Sequence, residues 1–259
     1  YPKRLIVDEA RQMGITIAPI DVNASDAVYR VEDHGNAIRI ALSTVSGISD
    51  GEVQSIIAGR PYIDLNDFVR RSGCSTPVTE SLILTGGFDS LHADVNRRDL
   101  LLHFSDLQKS PSAAVSGAQM NLGFDPPALI SSGLPAMTAS ESVKYEIDRL
   151  GIDMSRHLIE FYGEFLNAIG AVRSSDLLKQ RSQSSVLVAG IKVAMQTPPV
   201  RSGKRVIFLT LDDGYGCSDS TFFTDVQSEY ANVLYSTSLL LVRGVTRRTG
   251  ARGISIRAT

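Results

Sequence analysis

Apolar positions along this chain follow a helical period first and an alternating one afterwards. Residues 3–13 place Leu5, Ile6 and Ala10 at helical spacing, and Gly14 supplies the stop. Residues 15–18, 27–31 and 37–42 read as short strands, the last two separated by the turn Asp33-His34-Gly35-Asn36. A run of short helices comes next. Ser49 and Glu52 form a Ser-x-x-Glu capping box ahead of the Val53, Ile56 and Ile57 face. Asp64 is placed to cap a second helix with Leu65, Phe68 and Val69 inward. Thr76-Pro77 opens a third, with Thr76 as cap and Gly86-Gly87 as its end. Residues 97–107 form a fourth. From 110 to 139 the composition turns to Ser, Pro, Gly and Ala, which reads as a linker. Helical pieces at 141–150 and around 157–169 follow.

The period then changes to two. Residues 186–195, 204–211, 220–223, 238–247 and 253–257 read as five strands, with a helix at 226–234, capped by Asp225, between the third and fourth. Five strands with a helix after the third is the element order of the oligonucleotide-binding (OB) fold. The expected fold class is therefore α+β: a helical module followed by a five-stranded OB-fold β-barrel.

Composition narrows the picture. The chain has 259 residues, 43% of them hydrophobic, enough for about two domains. Its formal net charge of -2 excludes a globally basic nucleic-acid binder, so any basic surface is local. Cys74 and Cys217 are far apart and form no Cys-x-x-Cys pair, which argues against structural zinc; two free thiols suit a reducing cytoplasm. The apolar runs are too short to span a membrane. His34, His92, His103 and His157 are scattered without catalytic or metal-ligand spacing, and are expected at the surface or locally satisfied. Asp212-Asp213-Gly214 reads as a turn rather than a metal pair. Arg201-Ser202-Gly203-Lys204 lacks the P-loop pattern. No catalytic and no metal-binding residue is assigned.

Three stretches carry candidate chemistry. The first is the hairpin Val45-Ser46-Gly47-Ile48-Ser49 before a helix starting at Asp50. Its glycine allows close backbone approach, and amides at the helix start can hold a phosphate. This matches a helix-hairpin-helix motif, which grips duplex DNA by its backbone through Ser46, Gly47, Ile48, Ser49 and Gly51. An ordinary helix-turn-helix corner explains the segment about equally well. The second is the linker hexapeptide Gln119-Met120-Asn121-Leu122-Gly123-Phe124. It resembles the glutamine-led peptides that dock on the bacterial sliding clamp, with Gln119, Met120, Leu122 and Phe124 as contacts. The third is the barrel's charge: nine Lys/Arg against five Asp/Glu between 186 and 259, a local net of +4. Lys192, Arg201, Lys204, Arg205, Arg243, Arg247 and Arg248 are the candidates for a single-strand track.

Three passages together resemble the alpha-subunit family of bacterial DNA polymerase III and error-prone polymerases. Pro19-Ile20-Asp21-Val22-Asn23-Ala24-Ser25 resembles a signature late in that family's fingers region. The stretch from Ile38 through Val45-Ser46-Gly47-Ile48 to Gly86-Gly87-Phe88-Asp89-Ser90-Leu91 resembles its tandem helix-hairpin-helix module. Phe208-Leu209-Thr210-Leu211-Asp212-Asp213 resembles its OB strand. The order is the family's. The resemblance implies five regions: the end of the fingers (1–44), tandem hairpins (45–107), a linker with the clamp peptide (108–139), a helical connector (140–183) and the OB fold (184–259). It implies a DNA-directed DNA polymerase as parent, with its catalytic palm and Mg2+ elsewhere, and no cofactor or primer extension in this stretch. Duplex and single-stranded DNA, the beta sliding clamp and other polymerase or mutasome subunits are the implied partners; replication or error-prone repair synthesis is the implied process. Gly123 departs from the simplest clamp pentapeptide. Ser155-Arg156-His157 and residues 197–203 lie closer to the error-prone actinobacterial type. The abrupt start at Tyr1 suggests a piece of a longer protein. The competing reading is a stand-alone adaptor with OB and helix-hairpin-helix modules.

Overall fold

The computed structural model describes residues 3–109, 129, 131–198, 205–248, 250 and 253–259. Contacts divide the chain into two units: residues 14–155 form one, and residues 1–13 with 156–259 form the other.

In the first unit a small sheet carries the order β1-β3-β2, built from β1 (Thr16–Ala18), β2 (Arg30–Glu32) and β3 (Ala37–Arg39). β1 runs parallel to β3 and β2 antiparallel to it. The second and third strands are shorter than their apolar spacing suggests. Asp33 and His34 take positive φ, and Leu42–Thr44 turns into a 3-10 helix.

Five helices follow: α2 (Asp50–Ala58), α3 (Leu65–Ser72), α4 (Thr76–Leu84), α5 (Arg97–Lys109) and α6 (Ala139–Leu150). Ser49 caps α2 in a complete capping box with Glu52, as its spacing requires. Asp64 caps α3 through the Asp67 amide at 2.7 Å. The α4 cap differs from the sequence expectation: Ser75 occupies that position, and Thr76 and Pro77 are the first two helical residues. The core centres on Phe68. Its ring lies 4.9 Å from both Tyr62 and Phe88, edge to face with each.

The segment around Asp21 is fastened to these helices. Asn23 donates to the Tyr62 carbonyl and accepts from the Tyr62 amide, both at 2.8 Å. The Val22 amide donates to the Gly87 carbonyl at 2.9 Å, and Ser90 Oγ donates to Asp21 Oδ2. These fingers-like residues thus pack with the helices in one unit.

Two carboxylates here sit far below their ordinary range. The Ser49 amide leads the causes at Glu52, followed by the amide and hydroxyl of Ser75, and brings it to about 2. Arg71 does the same for Asp67, also to about 2. A depressed carboxylate stabilises the fold above its unfolded value, here 4.5 for Glu52 and 3.8 for Asp67, and loses that contribution as pH falls toward 2. Thermal midpoints followed by circular dichroism should therefore hold steady from pH 7 to 5 and fall between about 4.5 and 2. Glu52→Gln should flatten that fall. An acid limb of equal steepness in the variant would remove Glu52 from the explanation.

The second unit contains α1 (Lys3–Gln12), a 3-10 turn (Leu158–Tyr162), α7 (Gly163–Ala168), α8 (Ser174–Leu177) and the barrel. The barrel strands are β4 (Ser185–Gln196), β5 (Ile207–Asp212), β6 (Cys217–Phe222), β7 (Leu239–Arg248) and β8 (Ile254–Ala258), with α9 (Thr224–Ser236) between β6 and β7. They close in the order β4-β5-β6-β8-β7, with β6 and β8 parallel and β7 returning to β4. That order, with its helix after the third strand, is an OB fold. Alternation fills the interior: Val186, Val188, Leu209, Leu211, Val242 and Ile256 all point inward. Asp225 is not the α9 cap; Phe223 holds that position without a side-chain bond, and Asp225 lies in the first turn. The short helix α8 follows no apolar period in the sequence.

Candidate nucleic-acid interface

The predicted hairpin is present and exposed. Gly47 adopts φ +80°, a left-handed conformation that favours glycine, and an added Cβ there would meet nothing within 4 Å. The open face is therefore set by the backbone. What precedes the turn is a 3-10 turn rather than a full helix. Several of its amides already have acceptors: Ser46 donates to the Arg149 carbonyl at 2.7 Å, Ile48 to Val45, Ser49 to Glu52 and Glu52 back to Ser49. That leaves the amides of Gly47, Asp50 and Gly51; the last two open α2, where no carbonyl of their own helix can reach them. Ser46, Ser49 and Gly51 are exposed and Ile48 is half-buried.

A second turn of similar form joins α3 to α4, with Gly73 at φ +65°. The hexapeptide residues Gln119, Met120, Leu122 and Phe124 lie outside the described residues, as do Arg201 and Lys204.

Across the barrel runs a groove of about 940 Å³. The structure separates the remaining basic candidates by where it sends them. Arg247 lines the groove. Its neighbour Arg248 points from the other phase of β7 and donates to the Leu178 carbonyl. Lys192 Nζ donates to the Leu234 carbonyl at 2.6 Å, tying α9 to the barrel. Arg243 lies exposed on β7 opposite Leu187, and Arg205 is exposed just before β5. Neither Arg243 nor Arg205 lines the groove.

Residues not singled out from the sequence complete this surface. Phe208 and Phe223 line it with about 45% and 43% of their surface exposed, alongside Arg257, Thr210 and Thr221. A signal for Phe208 existed. Ile207, Leu209 and Leu211 take the inward phase of β5, so Phe208 shares the outward phase with Thr210. A large aromatic on the polar phase of a strand is available for stacking. Asp219 is the acidic member of the groove and accepts from Thr210 Oγ1 at 2.7 Å.

Asp212 and Asp213 make a turn. Asp212 Oδ1 accepts from the Gly214 amide at 2.9 Å, while Asp213 accepts from the Ser174 amide and hydroxyl at 2.6 Å each. His157 is buried rather than at the surface; its Nδ1 accepts locally from the Ile159 amide at 3.2 Å, and its Nε2 lies 3.7 Å from Asp212 Oδ2 and 3.7 Å from Asp8 Oδ2. Burial alone would raise the Asp212 carboxyl; His157 and the Gly214 amide hold it below its usual value. His92 Nε2 accepts from the Leu65 amide at 3.0 Å, and His103 pairs with Asn66 Oδ1 at 2.6 Å, so these two are locally satisfied. Both sit below the ordinary imidazole value because they are buried. Cys74 and Cys217 are free. Among the described residues, no helix is long and apolar enough to cross a membrane.

Residues 14–100 match the helix-hairpin-helix motif family. An error-prone DNA polymerase of Symbiobacterium thermophilum is 30% identical over 99% of this chain and 28% of its own length. A second, from Bdellovibrio bacteriovorus, is 27% identical over 97% of this chain and 25% of its own. The DNA polymerase III subunit alpha of Vibrio cholerae is 26% identical over 92% and 22%. The chain thus spans about a quarter of the length of these relatives. Among solved structures, RecG bound to a three-way DNA junction covers 34% of this chain and 12% of its own at 16% identity, with a TM-score of 0.28, too partial a likeness to bear on function.

Proposed function

From the chain's membership of the bacterial DNA polymerase III alpha and error-prone polymerase family, we infer that it is that polymerase's DNA-holding portion, with a docking peptide for the sliding clamp. The helical unit grips duplex product by its backbone, and the barrel tracks the single-stranded template. The groove carries this reading: two exposed aromatic rings, Phe208 and Phe223, lie beside Arg247 and Arg257 on one open barrel face. Bases stack on rings irrespective of sequence, and guanidinium groups follow the phosphates. The family order also supports the clamp assignment, because Gln119–Phe124 falls between the hairpins and the barrel. Nucleotidyl transfer, with its Mg2+, is assigned to the remainder of the parent; this chain by itself is expected to leave a primer unextended.

The test uses a labelled oligonucleotide and fluorescence anisotropy. Phe208→Ala should weaken single-strand binding by about 1–3 kcal/mol with little change in salt dependence. Arg247→Ala should flatten the slope of log affinity against log salt by about 0.7, one phosphate contact. Arg248→Ala should leave that slope unchanged, since its guanidinium is held at the Leu178 carbonyl and does not line the groove. If Phe208→Ala and Arg247→Ala both bind like the parent, the strand does not run through this groove.

A further inference from the structure

We propose that Glu52 is a positioning residue that locks the two hairpin turns of the helical unit together, so that both engage one duplex backbone as a single rigid grip. The proposal rests on the reading of these hairpins as a duplex-holding element and adds to it the group that sets their spacing.

A capping box accounts for only half of what this side chain does. Within its own helix, Glu52 Oε2 accepts from the Ser49 amide at 2.9 Å and from Ser49 Oγ at 2.8 Å. That completes the box. The other oxygen faces a different helix. Glu52 Oε1 accepts from the Ser75 amide at 2.9 Å and from Ser75 Oγ at 2.7 Å. Ser75 is the cap of α4, yet its hydroxyl makes no bond to its own helix. One carboxylate therefore holds the cap residues of α2 and α4 side by side, through four donors. A second strut runs parallel to it: Ser55 Oγ, one turn further along α2, donates to the Ser72 carbonyl at the end of α3.

The two turns so joined share a form. Gly47 and Gly73 both take left-handed φ, +80° and +65°, and both are exposed. A Cβ at Gly47 would meet nothing within 4 Å, and one at Gly73 only Ser55 Oγ at 3.9 Å. Each presents an open backbone of the kind a phosphate can approach. Helices α2 and α3 set the rough spacing of the two turns, and the Glu52 bridge fixes their cap residues on top of it, so less orientational freedom is lost on binding. Glu52 itself touches no DNA in this arrangement. Glu52 is half-buried, and its four bonds keep it ionised throughout the neutral range.

The experiment measures duplex affinity against salt for the whole chain and for Glu52→Ala, Glu52→Gln, Ser75→Ala and Gly47→Val. Loss of one coordinated phosphate contact should flatten the logarithmic salt slope by about 0.9 for duplex DNA. Glu52→Ala should show that flattening. Glu52→Gln, which keeps one acceptor oxygen and the same reach, should fall between Glu52→Ala and the parent. Ser75→Ala should weaken binding in the parent and add nothing to Glu52→Ala. If Glu52→Ala fails to fold by circular dichroism, Glu52→Gln and Ser75→Ala carry the same test. A parent slope in both of these, with duplex binding lost in Gly47→Val, would overturn the lock and leave the duplex reading standing. Weaker binding with an unchanged slope would also overturn it, since that marks general loosening. If the parent binds no duplex, or Gly47→Val binds as the parent does, the duplex reading itself fails and the lock with it.

Discussion

Phe68→Ala should lower the stability of the helical unit by about 4 kcal/mol. Phe68 has no exposed surface. It is also the middle ring of three, 4.9 Å from Tyr62 on one side and 4.9 Å from Phe88 on the other. Truncation removes the transfer energy of a benzyl group, leaves a cavity, and breaks two edge-to-face pairs at once. The damage is not confined to packing. Tyr62 is the residue that Asn23 clasps by its backbone, and its hydroxyl donates to the Ile56 carbonyl in α2 at 3.0 Å. Loosening Tyr62 therefore loosens both the Asp21 segment and the helix that carries the Gly47 turn. Amide hydrogen exchange read by mass spectrometry should show peptides of α2, α3 and α4 losing about three decades of protection, the equivalent of 4 kcal/mol. Protection unchanged in those peptides would mean that the three rings do not form the centre of this unit.

Gly244→Ala should cost the barrel about 3 kcal/mol, the upper range for forcing added volume into a packed interior. Gly244 lies where β7 pairs with Val186 of β4 on one side and Ala258 of β8 on the other. A Cβ there would fall 2.3 Å from the Arg257 carbonyl oxygen and 2.5 Å from Ile256 Cγ2. The oxygen belongs to backbone in a closed ladder, so no rotamer change relieves the clash. β8 must move away from β7, and these strands supply Arg257 and Arg247 to the groove. Urea unfolding should show a lower midpoint, and anisotropy should show weakened single-strand binding. Gly163→Ala is the control: it sits in α7 with nothing within 4 Å of an added Cβ. Equal midpoints for Gly244→Ala and the parent would show that β7 and β8 are not paired in this register.

Local physics decides much of this molecule. The capping box at Ser49 and Glu52, the Asp64 cap and the alternation of β4, β5 and β7 depend on neighbours within a few residues, and each appears as its spacing requires. The order of strands and helix was enough to name the barrel, because few closed arrangements of five strands accept a helix after the third. The sequence places a glycine in the turn before α2 for close backbone approach, and the structure gives that Gly47 a left-handed φ of +80°.

What the sequence left open depended on partners distant along the chain. Thr76-Pro77 satisfies the local rule for the α4 cap, yet Ser75 holds that position, with its hydroxyl drawn to Glu52, 23 positions away. The net charge of residues 186–259 does not distinguish one cation from another. Only tertiary contacts send Lys192 to Leu234 and Arg248 to Leu178 while leaving Arg247 on the groove. His157 stands near two buried carboxylates, Asp8 and Asp212, that lie at opposite ends of the sequence, so no local pattern joins them. Periodicity identifies which face of an element is buried, since that is set by residues two to four positions apart. Which polar group each exposed or buried side chain meets is set by how the elements close upon one another, and that closure is decided by the core as a whole.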